Sequence, residues 1–209
     1  SKITAFNKAH FGVYQVNSRE QVAWMAENGY PMPEDIVAAD RLADRDLLKL
    51  ANQGNDKAAF LLAERQNEEL VAFLAKGGTK NTYFDGVEGR NRLNEKITID
   101  QLVKQSNSPY KGYIQASKAI SGLYMGEGQD VTDAYVIAGL IWAEQLGDTR
   151  AGNFVTDYAI GNPQRVTILG TASIVSQNDF VDMTYMQLSG GQRAGAAGRG
   201  IPGGAAPVH

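Results

Sequence analysis

The sequence predicts an all-α protein of stacked antiparallel helical hairpins, a short α/α solenoid-like domain with a Gly/Ala-rich C-terminal tail. Residues 114–158 carry most of that expectation. They read as helix, glycine-rich turn, helix, glycine stop and third helix, with small residues where helices must touch. The stop has an upstream echo, since Ala51-Asn52-Gln53-Gly54-Asn55-Asp56-Lys57-Ala58 matches Glu144-Gln145-Leu146-Gly147-Asp148-Thr149-Arg150-Ala151 in pattern. A hydrophobic content of 43% in 209 residues supplies a core of single-domain size. The expected organisation is a helical domain over residues 1–188 and a tail over 189–209.

Taken in order, residues 11–17 hold Phe11, Val13, Tyr14 and Val16, a short β-prone stretch. Ser18-Arg19-Glu20-Gln21 is a capping box ahead of Val22, Trp24 and Met25, because Gln stands three residues after Ser. Gly29 ends that helix, and Pro31 and Pro33 keep the link extended until Pro33 opens a helix over 34–40. Asp44 is read as the cap of a helix over 45–53. Gly54 closes it, and Asn55 or Asp56 restarts the chain as a helix bearing Ala59, Leu62, Leu70 and Leu74, up to Gly77-Gly78.

Residues 79–91 show little periodicity and read as a long loop, a kind of segment that often carries function. Thr98-Ile99-Asp100-Gln101 reads as a capping box opening a short helix to Gln105. Ser108-Pro109 starts a helix to about Met125, with a small-residue stripe of Ala116, Ala119 and Gly122. Gly126 and Gly128 break the chain, and Asp130 or Thr132 caps the next helix. That helix is apolar nearly all round from Ala134 to Ala143, which places it between two layers with Trp142 filling the core. Gly147 stops it, and Asp148 caps a helix over 149–160. Asn162-Pro163 opens a further segment to Gln177 whose β-branched residues favour strand; helix is the reading adopted. The Gly-, Ala- and Pro-rich residues 189–209 cannot form a core and read either as a flexible coil or as a segment gripped by a neighbouring copy.

The central stretch resembles the Sel-one-like repeats, a branch of the tetratricopeptide-like helical solenoids. The matching residues are Ala119, Gly122-Leu123-Tyr124, Gly126 and Gly128, Asp133, Ala138, Trp142, Gly147-Asp148 and Ala151. They make one good repeat over 114–152 and a partial one over 45–66. The glycine stops at 54 and 147 lie 93 residues apart, the extreme of two helical-hairpin periods of about 34–47 residues; residues 79–91 are read as an insertion. The resemblance implies an adaptor that holds partners on a groove, and it brings no catalytic residues.

Composition narrows the chemistry. Twenty Lys and Arg against 23 Asp and Glu give a net charge of −3; with no basic run, nucleic-acid binding is disfavoured. The longest apolar run, 134–143, is too short for a membrane span of about 20 residues. No cysteine is present, which removes thiolate metal sites. A cysteine-free chain that begins at Ser1 suits export, periplasmic or extracellular, and a trimmed boundary is the other explanation.

Leu188-Ser189-Gly190-Gly191-Gln192 copies the ABC-ATPase signature, yet no phosphate-binding Gly-x4-Gly-Lys segment accompanies it. The two histidines, His10 and His209, are insufficient for a triad or metal centre. No catalytic, cofactor or metal residue is therefore assigned. Tyr110 and Tyr113, beside Pro109 and Lys111, are read as partner anchors at an exposed helix start, together with Tyr83, Arg193 and Arg199. The expected function is a non-catalytic protein-interaction or assembly module, binding a protein partner or a further copy of itself. The alternatives are a structural subunit of a homo-oligomer or filament with its tail packed on neighbours, and a carbohydrate-active hydrolase.

Overall fold

The computed structural model describes residues 13–126 and 128–163, and within them the protein is all-α. The helices are α1 (Arg19–Glu27), α2 (Pro33–Ala39), α3 (Asp44–Asn52), α4 (Asp56–Ala75), α5 (Lys80–Tyr83), α6 (Gly86–Gln105), α7 (Tyr110–Ser121), α8 (Gln129–Gln145) and α9 (Thr149–Gly161); a short 3-10 helix, Gly122–Met125, extends α7. Residues 164–209 lie outside the described part. With them lie the segment to Gln177, the ATPase-like pentapeptide, and Arg193, Arg199 and His209.

Helical hairpins are present and their turns share one geometry. Gly54 and Gly147 adopt φ of +92° and +112°, the left-handed conformation that glycine takes without penalty. Each turn sends the amide three residues beyond the helix back to it: Asn55 N–H to Leu50 O at 3.1 Å, and Asp148 N–H to Ala143 O at 2.9 Å. The same residues then cap the next helix. Asn55 accepts from Ala58 N–H and Asp148 from Arg150 N–H. The echo between the two sequence stretches is thus an echo in conformation, and it folds α4 back on α3 and α9 on α8.

Packing runs in sequence through the molecule: α9 lies on α8, α8 on α7, α7 on α4, and α4 on α6 and α3. As the all-round apolar pattern requires, α8 sits between two neighbours. The tightest contact is between Gly112 of α7 and Gly139 of α8. A Cβ built on Gly112 would stand 2.2 Å from Gly139 O, and one on Gly139 would stand 2.4 Å from Gly112 O. Ala116, Ala119 and Gly122 are buried beside this crossing, but the glycine pair sets its distance. At that distance no indole fits between the helices. Trp142 is therefore at the edge, half-buried, with the Lys111 ammonium 5.6 Å from its ring centre.

Several further expectations are corrected. Residues 13–17 form a turn and bend rather than a strand. The loop read over 79–91 is mostly helix: Thr79 caps α5 by accepting from Thr82 N–H at 3.1 Å, and Asp85 caps α6. Thr98 caps nothing, since α6 runs unbroken through it and its hydroxyl donates to Asn94 O at 3.1 Å, one turn back. The α6 pattern was hidden because its first turns are exposed and polar, and only its second half carries a buried face of Ile99 and Val103. Ala43, not Asp44, is the cap of α3, and Gly128, not Asp130 or Thr132, that of α8. The Ser18 cap of α1 holds, accepting from Gln21 N–H, while the Gln21 side chain reaches back to Asn17 N–H.

Candidate functional site

Two groups of polar side chains stand out, one inside the fold and one on its surface. The inner group grows from aromatic packing. Tyr30, Tyr110, Tyr113 and Phe60 are completely buried. Tyr30 packs against Tyr110 at 5.3 Å, Tyr113 at 6.1 Å and Trp24 at 5.7 Å between ring centres. Tyr110 continues to Phe60 at 5.1 Å. Buried tyrosines need acceptors for their hydroxyls, and two carboxylates supply them. Asp148 Oδ2 accepts from Tyr30 at 2.5 Å and Tyr113 at 2.9 Å. Glu64 Oε1 accepts from Tyr110, and Tyr14 donates to Pro31 O.

Arg150 completes the arrangement. Its Nε and Nη2 donate to the two oxygens of Asp148 at 3.1 and 3.0 Å, and its Nη1 donates to Val13 O. Burial alone would raise the Asp148 pKa, but hydrogen bonds from Arg150 and Tyr30, the Arg150 charge and the Tyr113 hydroxyl outweigh it. They hold the group below its ordinary value. Burial, followed by the neighbouring carboxylates, pushes the Tyr30, Tyr110 and Tyr113 hydroxyls well above theirs. Asp148, 1% exposed, is thus a fixed anion joining residues near the chain start to α7 and to the turn before α9. The cluster holds the fold together.

Tyr110 and Tyr113 are accordingly not the exposed partner anchors expected from their place at a helix start. They face the core because α7 is covered by α4 on one side and α8 on the other. Another buried charge group, Lys96–Asp100–Lys118, ties α6 to α7: Asp100 accepts from Lys96 at 3.2 Å and Lys118 at 2.6 Å.

The outer group lines an open groove between α4, α5 and α6, closed at one end by Asp44 at the start of α3. Tyr83 and Phe84 form its aromatic wall and Gln66 and Asn67 its amide wall. Tyr83, the expected partner-binding residue in the 79–91 segment, is in this wall, half-buried, with its ring 5.1 Å from Phe73 and 5.0 Å from Phe84.

The cations here are already engaged. Arg92 lies 5.0 Å from the Tyr83 ring centre and donates to Tyr83 O at 3.1 Å. Arg65 bonds Asp44 at 2.9 Å and the carbonyls of Ala39 and Leu42 at 2.8 and 2.9 Å, closing the end of α2. Lys96 is held by Asp100. Glu69 and Glu95, by contrast, make no ion pair with a described residue. Desolvation, and then the Asp44 charge, raise the Glu69 pKa against the opposing pull of Arg65 and Arg92. Desolvation and Glu69 together raise that of Tyr83. A cation entering the groove would relieve both.

Sequence reasoning reached Tyr83 but missed Glu95 and Arg92. A periodicity reading of α6 across 86–105 would have placed Arg92 and Glu95 near α4, because residues three apart share a helix face. Among the described residues no group of three His, Cys, Asp or Glu is placed to hold a metal ion, and no helix is long and apolar enough to cross a membrane. Comparison with family models, with curated proteins and with solved structures finds no match to this chain.

Proposed function

We propose that this protein is a non-catalytic protein-interaction module of the helical-repeat type, which seats a segment of its partner in the groove between α4, α5 and α6. The carrying observation is the pairing of an aromatic wall, Tyr83 and Phe84, with two carboxylates, Glu69 and Glu95, that make no ion pair with a described residue. Aromatic surface supplies apolar contact area, and unengaged charge at the rim supplies orientation and selectivity. The helices beneath are tied by the Asp100 and Arg65 bonds, so little ordering cost is added on binding.

Selection of a displayed random peptide library against the purified protein tests the reading. Selected peptides should be rich in Lys or Arg next to an apolar residue. They should bind Tyr83→Ala at least about tenfold more weakly, a loss of about 1.4 kcal/mol. Failure to enrich any peptide, or equal binding by Tyr83→Ala and by Glu69→Gln/Glu95→Gln, would refute it.

A further inference from the structure

The chain contains one Asn-Gly and one Asp-Gly pair, Asn28-Gly29 and Asp85-Gly86. Both are open to the same ageing chemistry. A glycine amide, unshielded by a Cβ, attacks the side-chain carbonyl carbon of the residue before it and closes a cyclic imide. In an unstructured chain the Asn-Gly pair reacts faster, because a carboxylate is a poorer electrophile than an amide.

The fold reverses that order through where it holds each side chain. Asn28 is half-buried, and its Nδ2 donates to Trp24 O at 2.7 Å, which keeps the carboxamide on the last turn of α1. Ser108 Oγ donates to Asn28 O, and a Cβ built on Gly29 would stand 3.1 Å from Ser108 Cβ, so the peptide between them has little room to turn. Asp85 and Gly86 are exposed, and a Cβ on Gly86 would meet nothing within 4 Å. The capping side chains of Ser18, Asn55 and Thr79 reach the amide three residues on, and that of Asp148 two residues on. Asp85 turns instead onto the next amide, accepting Gly86 N–H on Oδ1 at 2.8 Å. Nucleophilic nitrogen and carboxyl carbon are thus already neighbours. The Gly86 amide, first in α6, has no carbonyl partner within its helix to lose.

We infer that Asp85-Gly86 is a site of spontaneous aspartate isomerisation in the folded protein, and that its product uncouples α6 from α5. Gly86 N bonds to Cγ of the protonated carboxyl, the Cγ hydroxyl leaves, and the amide proton joins it to make water. Water then opens the imide. Cleavage of the bond from nitrogen to Cγ restores aspartate, and cleavage of the main-chain bond gives isoaspartate. One water leaves and one returns, so no co-reactant is needed. Isoaspartate carries the main chain through Cβ and Cγ, one methylene longer, and leaves the former carbonyl as a free carboxylate. The bond from Gly89 N–H to Asp85 O at 3.0 Å requires the original spacing. So does the seat of Gly89 on Phe84, where a Cβ would stand 2.2 Å from the Phe84 carbonyl carbon. These contacts fix the start of α6 on the end of α5.

Ageing of the parent chain at neutral pH in heavy-oxygen water tests this, since each passage through the imide leaves one solvent oxygen in the residue. Peptide mass counts those passages, and labelling by an isoaspartate-specific methyltransferase identifies the rearranged product. In the folded chain, product at residue 85 should exceed product at residue 28 at least about tenfold, a barrier difference of about 1.4 kcal/mol. In guanidinium the order should reverse. In the isomerised fraction, amides of residues 89–92 should exchange at least about tenfold faster than in the unaged chain. Asp85→Ser, which keeps a capping oxygen but forms no imide, should hold its exchange rates on ageing. Absence of isoaspartate at residue 85 of the folded chain, the same order of the two sites folded and unfolded, or unchanged exchange over 89–92 in the isomerised fraction would overturn the inference.

Discussion

Asp148 performs two tasks with one carboxylate. Oδ1 caps α9 by accepting from the Arg150 amide, while Oδ2 collects the hydroxyls of Tyr30 and Tyr113. Removing one donor leaves the acceptor buried and less well satisfied. Tyr30→Phe should therefore cost about 1.5–3 kcal/mol, the range for hydrogen bonds to charged groups, measured as a shift in urea midpoint at constant slope. The folded-state pKa of Asp148 lies below its ordinary 3.8. Its contribution to stability is complete above that value and is lost as pH falls through the lower folded-state value. Acid titration of stability should show a steep fall below about pH 4, and Asp148→Asn should flatten that limb.

On the alkaline side, the buried tyrosines are raised above their ordinary 10.0. Their contribution is whole below that pH and declines above it, as the unfolded chain ionises first. Space is as strict as charge. Gly112→Ala places a methyl 2.2 Å from Gly139 O and should cost about 1–3 kcal/mol in a thermal melt, the usual range for overpacking. A shift too small to resolve would mean that α7 and α8 separate without penalty.

At the scale of the element, caps decide more than composition does. Asp148 was legible, and the cap of α4 was narrowed to Asn55 or Asp56, because a polar cap follows a glycine stop in both stretches; the structure assigns Asn55. Thr98 shows the limit of the same signal. Its Thr-x-x-Gln pattern matches a capping box, yet the residue lies inside α6 with its hydroxyl turned back to Asn94 O. Thr98→Ala should leave stability unchanged or raise it by about 0.5 kcal/mol, the difference in helix propensity. Thr79→Ala, which removes the cap of α5, should lower it by about 1 kcal/mol. Equal losses in the two variants, read by chemical denaturation, would contradict an unbroken α6. Tyr110 and Tyr113 failed for a related reason. Being near a helix start says nothing about what packs on it, and here α4 and α8 cover both faces.

Across the whole molecule, protection should follow the packing order. In α7, Tyr110, Tyr113, Ile114, Ala116 and Ala119 are each 1% exposed or less, so its amides open only with the entire core. Hydrogen exchange should be slowest in α7 and fastest in α5, a four-residue helix at the surface. Exchange in α9 should exceed that in α8, because α8 is held on two sides and α9 has Ala151 as its single fully buried residue.

The sequence by itself determined the all-α class, the glycine stops, the caps at Ser18 and Asp148, the start of α4 to within Asn55 or Asp56, and the central place of α8. These depend on residues a few positions apart, where backbone conformation and helical period act locally. Only the tertiary structure decided that Tyr110 and Tyr113 are core, that Trp142 is peripheral, and that Glu69 and Glu95 line one groove without a direct ion pair. Those facts depend on which helix covers which face and how closely Gly112 lets α8 approach, distances set between segments far apart in the chain.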